Sequence, residues 1–319
     1  MWNYVARRLA ISVPILIFIT MVLFGLLQVT PGGPLDAMAP PSAPLSPEAR
    51  AAMAKALGLD QPLPVRYVEW LWQVLHGNLG FRSDNGQAVS QAILGHIGPT
   101  LELMGTGILI GIVVGIVLGI FSAVYQYSFF DVLLTILAFL GIAMPAFLAG
   151  LLGLYVFSLK LDWFPSGGIQ TPGVPGSLGQ NLLHLVLPAV MLSINQVAQV
   201  MRYTRSSLLE AMSQDYVRTA RAKGAGRTRV IVRHAFRNAL LPVITIIGAN
   251  VPNLIGGAVF LETIFTWPGM GQLFLTAVQG RDYSLIMGMT LIVAIVVLLA
   301  NLLTDLTYAA ADPRIRFCT

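Results

Sequence analysis

The sequence predicts an all-α membrane protein with six transmembrane helices, and three observations support this fold class. First, 56% of the 319 residues are hydrophobic and 10% are charged, whereas soluble domains average about 45–50% apolar and about 25% charged residues. Second, the mean hydropathy is +0.76. Third, the apolar residues form six blocks of roughly 20 residues, the length that crosses a bilayer as a helix. No segment shows the strict alternation of a half-buried strand.

The six blocks cover residues 9–29, 103–124, 132–159, 182–200, 239–261 and 285–303. The first is longer than the apolar region of a signal peptide, which has about 7–15 residues, so an uncleaved span is expected. The third, fourth and fifth contain Pro145, Pro188 and Pro252. Each proline removes a backbone N–H and can bend a helix, and we expect static kinks rather than hinges.

The positions of Lys and Arg predict the orientation. All 19 basic residues lie outside the blocks, thirteen predicted on one side of the membrane and six on the other. Because short cytoplasmic connections carry the excess of positive charge, both termini and the loop 202–238 are predicted to be cytoplasmic. Nine of the thirteen lie in that one loop, which is more than orientation requires.

This layout suggests three segments: residues 1–30, an N-terminal tail with the first transmembrane helix; residues 31–98, an external loop; and residues 99–319, a five-helix core with the loop 202–238. In the external loop, Ser46 and Pro47 are typical of a capped helix start, and Gly58 would end that helix. A second, amphipathic helix is expected at 65–75, with Trp70 and Trp72 suited to a membrane surface. An external helical cap is therefore expected.

Within the second block, glycines recur every four residues, at Gly107, Gly111, Gly115 and Gly119. Small residues at this spacing let helix backbones approach closely, so we expect packing within the chain; a sliding surface is the alternative. The carboxylates Glu102, Glu262 and Asp305 lie near block ends, where structural partners are expected, and no carboxylate lies in mid-membrane as ion coupling would require.

Five uncharged polar residues in the fourth and fifth blocks are candidates for lining a pathway, and interhelical hydrogen bonding is the alternative. They are Asn195, Gln196, Gln199, Asn250 and Asn253. Metal and redox sites are not indicated, because the chain has one Cys, Cys318, and its four His are far apart.

The basic segment 218–242 has no pattern of a voltage sensor, because its Lys and Arg are irregularly spaced and separated by Thr, Gly and Ala. The chain has no Gly-Lys-[Ser/Thr] phosphate loop. Binding of anionic lipid or nucleic acid remains an alternative. The order of residues predicts a short helix with Ser213 as its cap, Asp215 in its first turn, Arg221 and Lys223 in its last turn, and Gly224 as its stop. Such a helix is suited to docking a partner protein.

Several motifs along the whole chain carry a family resemblance. They are D-Y-V-R-T-A-R-A-K-G at 215–224, R-H-A-F-R-N-A-L-L-P at 233–242, L-G-L-D-Q-P at 57–62, G-N-L-G at 77–80, F-T-W-P-G-M-G at 265–271 and D-P-R-I-R at 312–316. With these the chain resembles the permease subunits of ATP-binding cassette (ABC) importers, specifically the dipeptide/oligopeptide/glutathione branch. It departs from the general importer loop at Arg218 and Thr219, where Glu and Ala are usual, and by five extra residues between Gly224 and Pro242.

The resemblance implies a type I importer permease fold, with a cytoplasmic coupling helix, in a bacterial inner membrane. It implies four kinds of partner: a second homologous permease, two ATPases that bind ATP and Mg, a periplasmic or lipid-anchored substrate-binding protein, and lipid, but no nucleic acid. This chain would hold no catalytic residue, cofactor or metal. The residues implied in coupling are Asp215, Arg218, Thr219, Ala220, Arg221, Lys223 and Gly224.

The implied substrates are di- or oligopeptides or glutathione-like molecules, with nickel chelates or other small solutes as the alternative. A stand-alone ion-coupled transporter would need a mid-membrane carboxylate or an inverted repeat, and the sequence has no obvious sign of either. A third possible function is that of a membrane anchor that binds anionic lipid or nucleic acid through its basic loop.

Overall fold

The computed structural model describes residues 2–29, 46–56 and 58–311, and every named element within these ranges is helical. In chain order the helices are α1 Trp2–Val29, α2 Pro47–Ala56, α3 Leu63–Leu75, α4 Val89–Val124, α5 Phe129–Ala143, α6 Ala146–Gly153, α7 Leu178–Ser213, α8 Asp215–Ala222, α9 Arg227–Arg229, α10 Phe236–Ala249, α11 Val251–Ile264, α12 Met270–Gln279 and α13 Tyr283–Ala311. π-Helical turns at Leu154–Lys160 and Val230–Ala235 follow α6 and α9.

Contacts group the chain into two compact units, one of Met1–Gly98 with Gly269–Leu298 and one of Pro99–Pro268 with Leu299–Thr319. The predicted division into 1–30, 31–98 and 99–319 follows membrane topology rather than contacts and stays a prediction.

Four of the described helices, α1, α4, α7 and α13, are long and apolar enough to cross a membrane. Two bent helix pairs raise the number to six if each pair is one span, which agrees with the all-α, six-helix fold class. The third predicted block is the most changed, because α5 and α6 bend by 108° where they meet. Proline lacks an N–H and disfavours helical geometry in the residue before it, and Met144 accordingly has ψ 118°. Pro145 thus ends a helix, whereas Pro188 lies within the continuous α7.

In the first unit, α3 packs on α1. The hydroxyl groups of Thr20 and Tyr67 are 2.9 Å apart, and Tyr67 also donates to the carbonyl of Ile17. The predicted helix start is confirmed, because Ser46 Oγ accepts from the backbone N–H of Ala49 at 3.2 Å. Gly58 has φ +65° after α2, the left-handed conformation that glycine adopts at helix ends. The two short helices expected between residues 31 and 98 are therefore present as α2 and α3, and their external position stays a prediction.

In the second unit, a buried cluster surrounds Trp267, whose indole Nε1 donates to the carbonyl of Pro99 at 2.9 Å. Glu262 is fully buried and accepts a hydrogen bond of 2.6 Å from the Thr100 hydroxyl. This bears out the structural partner expected for Glu262. The Asp305 side chain lies outside the described residues.

The glycine ladder of α4 is a helix-packing surface within the chain. Its members Gly107, Gly111, Gly115 and Gly119 face Leu192, Gln196, Val200 and Thr204 of α7, again at four-residue spacing. A Cβ atom added at Gly119 would lie 2.7 Å from the backbone carbonyl oxygen of Met201, closer than real Cβ atoms come. The helices therefore touch backbone to backbone, and the packing interpretation is confirmed.

This contact predicts that two Gly→Ala changes in α4 differ in their effect on stability. Gly119→Ala places a methyl group against the α7 backbone and is expected to destabilise the protein by about 1–3 kcal/mol. Gly105→Ala has open space around it and is expected to be neutral or to stabilise by up to about 1 kcal/mol, because Ala is the better helix former. Thermal unfolding midpoints of the detergent-solubilised variants measure both, and equal midpoints would contradict the packing.

Candidate functional site

The basic segment contains a short helix, α8, that is held against the rest of its unit by an apolar face. Val217 is fully buried and Ala220 is 9% exposed. Both belong to a cluster with Leu208 and Ala211 at the end of α7, and with Val230 of the following π-helical turn. The i, i+3 spacing of Val217 and Ala220 places them on one side of the helix, so α8 is docked on this side.

The polar residues of α8 and its C-cap lie on the exposed surface. They are Asp215, Arg218, Thr219, Arg221 and Lys223. One ion pair forms among them, Arg218 to Asp215 at 3.7 Å, with both side chains largely in solvent. Exposed pairs of this kind contribute little to stability. The predicted coupling residues therefore present their charges outward, where a partner can meet them.

Ala220 differs from the other predicted coupling residues in what it touches. It is buried in the cluster that includes Leu208 and Ala211 at the end of α7. A direct role of Ala220 toward a partner stays a prediction.

The two ends of α8 differ in how well the sequence predicted them. Ser213 is not its cap: Ser213 is the last residue of α7, and its hydroxyl donates to the Glu210 carbonyl at 2.7 Å. The N-cap is Gln214, without a side-chain hydrogen bond. At the other end Gly224 has φ +79°, and the N–H of Ala225 bonds back to the carbonyl of Ala220 at 3.2 Å. The glycine stop is therefore confirmed.

The predicted loop 202–238 begins as helix, because α7 continues to Ser213. Apart from Arg218, which pairs with Asp215 within α8, three of its basic residues contact other helices of the chain. The Arg202 guanidinium lies 4.7 Å from the ring centre of Phe139, and Arg227 donates to the carbonyl of Val124 at 3.3 Å. The third, Arg205, forms an ion pair that sequence analysis missed.

Arg205 and Asp131 form a bidentate ion pair, with Nε–Oδ1 and Nη2–Oδ2 distances of 2.8 Å each. Asp131 is 2% exposed, and it also accepts from the Ser122 hydroxyl and from the backbone N–H of Tyr127. The pair therefore joins the end of α4, the start of α5 and α7. A sequence signal existed: Ser128 precedes Asp131 by three residues, the spacing of a helix cap, and it accepts from the Asp131 N–H at 3.2 Å.

A cavity of about 450 Å³ in the second unit, here called the amide cavity, is bordered by the break between α5 and α6, by α7 and by α11. Four of the five predicted pathway residues line it: Asn195, Gln196, Gln199 and Asn250. The side chain of the fifth, Asn253, lies outside the described residues. The structure thus brings together polar residues that the sequence placed in two separate blocks.

Three of these amides form a hydrogen-bonded chain. Asn250 donates to Gln199 at 2.9 Å, and Gln199 donates to Asn195 at 2.5 Å. Asn195 donates to the carbonyls of Ile142 and Gly141, at 3.3 and 3.5 Å. In an unbroken helix the Gly141 carbonyl would accept from residue 145, but a proline has no N–H. Asn195 thus satisfies backbone that the break at Pro145 exposes.

Gln196 occupies a different position. It is 1% exposed and lies over Gly111, where an added Cβ atom would come within 2.3 Å of its Cγ. Its amide nitrogen has no hydrogen-bond partner among the described residues. Interhelical hydrogen bonding is therefore confirmed for Asn195, Gln199 and Asn250, whereas a role of these amides in lining a transport pathway stays a prediction.

The family comparison decides what kind of protein carries this arrangement. Residues 115–317 match the family of binding-protein-dependent transport system inner membrane components, and residues 1–95 match the N-terminal domain of the same group. The chain belongs to this family. It is therefore an inner-membrane permease of the ABC importer type.

Full-length relatives agree with this assignment. The permease is 50% identical over 317 residues, 99% of each chain, to a putative peptide permease of Brucella suis. It is 41% identical to the oligopeptide transport system permease AppB of Bacillus subtilis, covering 98% of this chain and 99% of that one. It is 38% identical to the dipeptide transport system permease DppB of Escherichia coli, covering 99% of each.

A solved structure supports the fold. A chain of the MetNI methionine ABC transporter, in an inward-facing conformation, superposes with a TM-score of 0.56 at 15% identity, covering 70% of the permease and 97% of that chain. At this identity the likeness concerns the fold alone.

The buried ion pair predicts a strong contrast between two arginine variants of the permease. Arg205→Met leaves the Asp131 carboxylate buried without its partner and is expected to destabilise the protein by about 3–5 kcal/mol. Arg218→Met removes an exposed pair and is expected to have almost no effect on stability. Thermal unfolding in detergent measures both changes. A similar small shift for both would show that Arg205 is not a structural anchor.

Proposed function

We propose that the permease is one of two membrane subunits of a peptide importer, and that two separate ATPases move it through α8. The observation that carries the proposal is that α8 is docked on the permease by Val217 and Ala220, while its charged residues face outward. A helix held in this way can transmit a displacement to the permease and still present a binding surface to another protein.

Packing provides the route for that displacement. Leu208 and Ala211 of α7 lie in the same cluster as Val217 and Ala220 of α8. α7 continues without interruption to the residues that line the amide cavity. Because packed helices shift as units rather than deform, a pull on α8 acts on α7 and thereby on Asn195 and Gln199. This connects the proposed ATPase contact with the proposed pathway.

The remaining parts of the proposal follow from the family and the relatives. The importer would contain a second permease, ATPases that bind ATP and Mg, and a periplasmic or lipid-anchored substrate-binding protein. Peptides are the proposed substrates because three full-length relatives at 38–50% identity are named as peptide, oligopeptide or dipeptide permeases. Both termini and α8 would face the cytoplasm, consistent with the excess of Lys and Arg on that side.

The glycine at the end of α8 provides a test of coupling. No atom lies within 4 Å of a Cβ added at Gly224, but its φ is +79°. Gly224→Val is therefore expected to act through backbone strain of about 1–2 kcal/mol, and to reduce ATP-dependent peptide uptake by a factor of roughly 5–30. Gly224→Asn is the matched control, because Asn tolerates this conformation, and it should retain most uptake.

The assay uses the importer complex, purified through a tag on the permease and reconstituted in vesicles with its binding protein. Uptake of a radiolabelled tripeptide and peptide-stimulated ATP hydrolysis are both measured. Full coupling in the Gly224→Val complex would overturn the assignment of α8. Absence of ATP-dependent uptake by the wild-type complex would overturn the proposed function itself.

The outward charge of α8 provides a second test. Arg221→Glu places a negative charge on the surface that we propose to meet carboxylates of the ATPase, and it should weaken co-purification of the ATPase by about tenfold or more. Lys55→Glu in α2 is the control, since the same charge reversal lies in the proposed external cap and should leave co-purification unchanged. Equal recovery of the ATPase with both variants would argue against contact at Arg221.

A further inference from the structure

The amide cavity has an unusual chemical composition for a site that would pass ionised molecules. Its polar side chains are four primary amides, on Asn195, Gln196, Gln199 and Asn250. The other residues that line it are apolar: the larger side chains are those of Ile142, Met144, Phe147, Leu192 and Phe260, and the rest are Ala, Pro and Gly. None of the described residues that line the cavity has an ionisable side chain.

A primary amide can donate and accept hydrogen bonds at the same time, through two N–H groups and a carbonyl oxygen. A peptide bond offers one N–H and one carbonyl. Amide side chains are therefore complementary to the main chain of a peptide, whatever its side chains are. An uncharged wall neither attracts nor repels an ionised side chain through a net charge.

Two details indicate that the amides can change partners. Gln199 sits in the middle of the hydrogen-bonded chain, where it donates to Asn195 and accepts from Asn250, and exchanging these bonds for bonds to another amide costs little. Gln196 is buried with an amide nitrogen that has no partner among the described residues. Such a group normally lowers stability unless water or a ligand satisfies it.

We propose that the amide cavity binds the main-chain amides of a peptide in transit, so that this permease does not discriminate between substrates by their charge. The inference rests on the proposed function and adds the recognised group, which is the secondary amide. The volume of about 450 Å³ lies within the range of small-molecule sites. The apolar part of the lining carries no charge that would favour acidic over basic side chains.

Substitutions of Gln199 test this inference in the reconstituted importer complex. Gln199→Met keeps the shape of the side chain but removes its hydrogen bonds, and Gln199→Glu keeps the shape and adds a negative charge. The probes are three radiolabelled tripeptides, Ala-Ala-Ala, Ala-Glu-Ala and Ala-Lys-Ala. Uptake of each is expressed relative to its uptake by the wild-type complex, which removes the selectivity of the binding protein. Gln279→Met, at the exposed end of α12, is the control.

Gln199→Met is expected to reduce the uptake of all three peptides by the same factor, about tenfold for the loss of a hydrogen bond. Gln199→Glu is expected to create discrimination, with the acidic peptide reduced at least about fivefold more than the basic peptide. Gln279→Met should change none of them. The yield of each purified complex and its ATP hydrolysis without peptide report whether the variant assembles. If the Gln199→Glu complex does not assemble, the inference is tested by Gln199→Met alone.

The possible results separate the two levels of the proposal. If Gln199→Met reduces the uptake of one peptide only, the amide contacts a side chain and the inference is wrong. If uptake of every peptide is unchanged in Gln199→Met, the cavity is not on the pathway and the inference is also wrong. Both results leave the importer function intact. A wild-type complex that imports none of the three peptides overturns the proposed function and this inference together.

Discussion

The close contact between α4 and α7 is the constraint on which the second unit depends. The glycines of α4 leave no room for side chains of their own at the contact. Their spacing therefore determines which residues of α7 face α4, namely every fourth residue. The α7 residues that face the glycines, Leu192, Gln196, Val200 and Thr204, form a stripe along the helix. At the same spacing this stripe continues to Leu208, which lies in the cluster that holds α8. The glycine contact therefore sets the rotation of α7 about its own axis over its whole length.

That rotation determines where the polar residues of α7 lie. Asn195 and Gln199 each precede a residue of the stripe by one position, which is about 100° around a helix. They are thus turned away from α4 toward the break after α5 and toward Asn250. If α7 turned by one residue, Asn195 would lose the carbonyls of α5 and the amide cavity would lose its lining. One steric contact consequently controls both the end of α7 that packs against α8 and the part of α7 that lines the amide cavity.

Local sequence patterns predicted much of the helix packing and of the candidate site. Most features that the sequence did not predict depend on contacts between residues far apart in the chain. The glycine spacing, the polar residues within apolar blocks and the stop at Gly224 are properties of neighbouring residues. The pair of Asp131 with Arg205 joins residues 74 positions apart, and no local pattern identifies the partner. The prediction of Ser213 as the cap of α8 was wrong because the length of a helix depends on tertiary contacts. Buried residues hold α7 in place up to Leu208 and Ala211, and the helix continues through the expected boundary.

The break at Pro145 has an electrical consequence for the amide cavity. Helix ends carry partial charges of about half an elementary charge, negative at the C-terminus and positive at the N-terminus. The last residues of α5 and the first residues of α6 both border the cavity, so opposite partial charges lie side by side along its edge. The site therefore has no net charge but a local field. Such a field acts on the direction in which a dipolar molecule lies, and a peptide with an ammonium group at one end and a carboxylate at the other is a molecule of this kind.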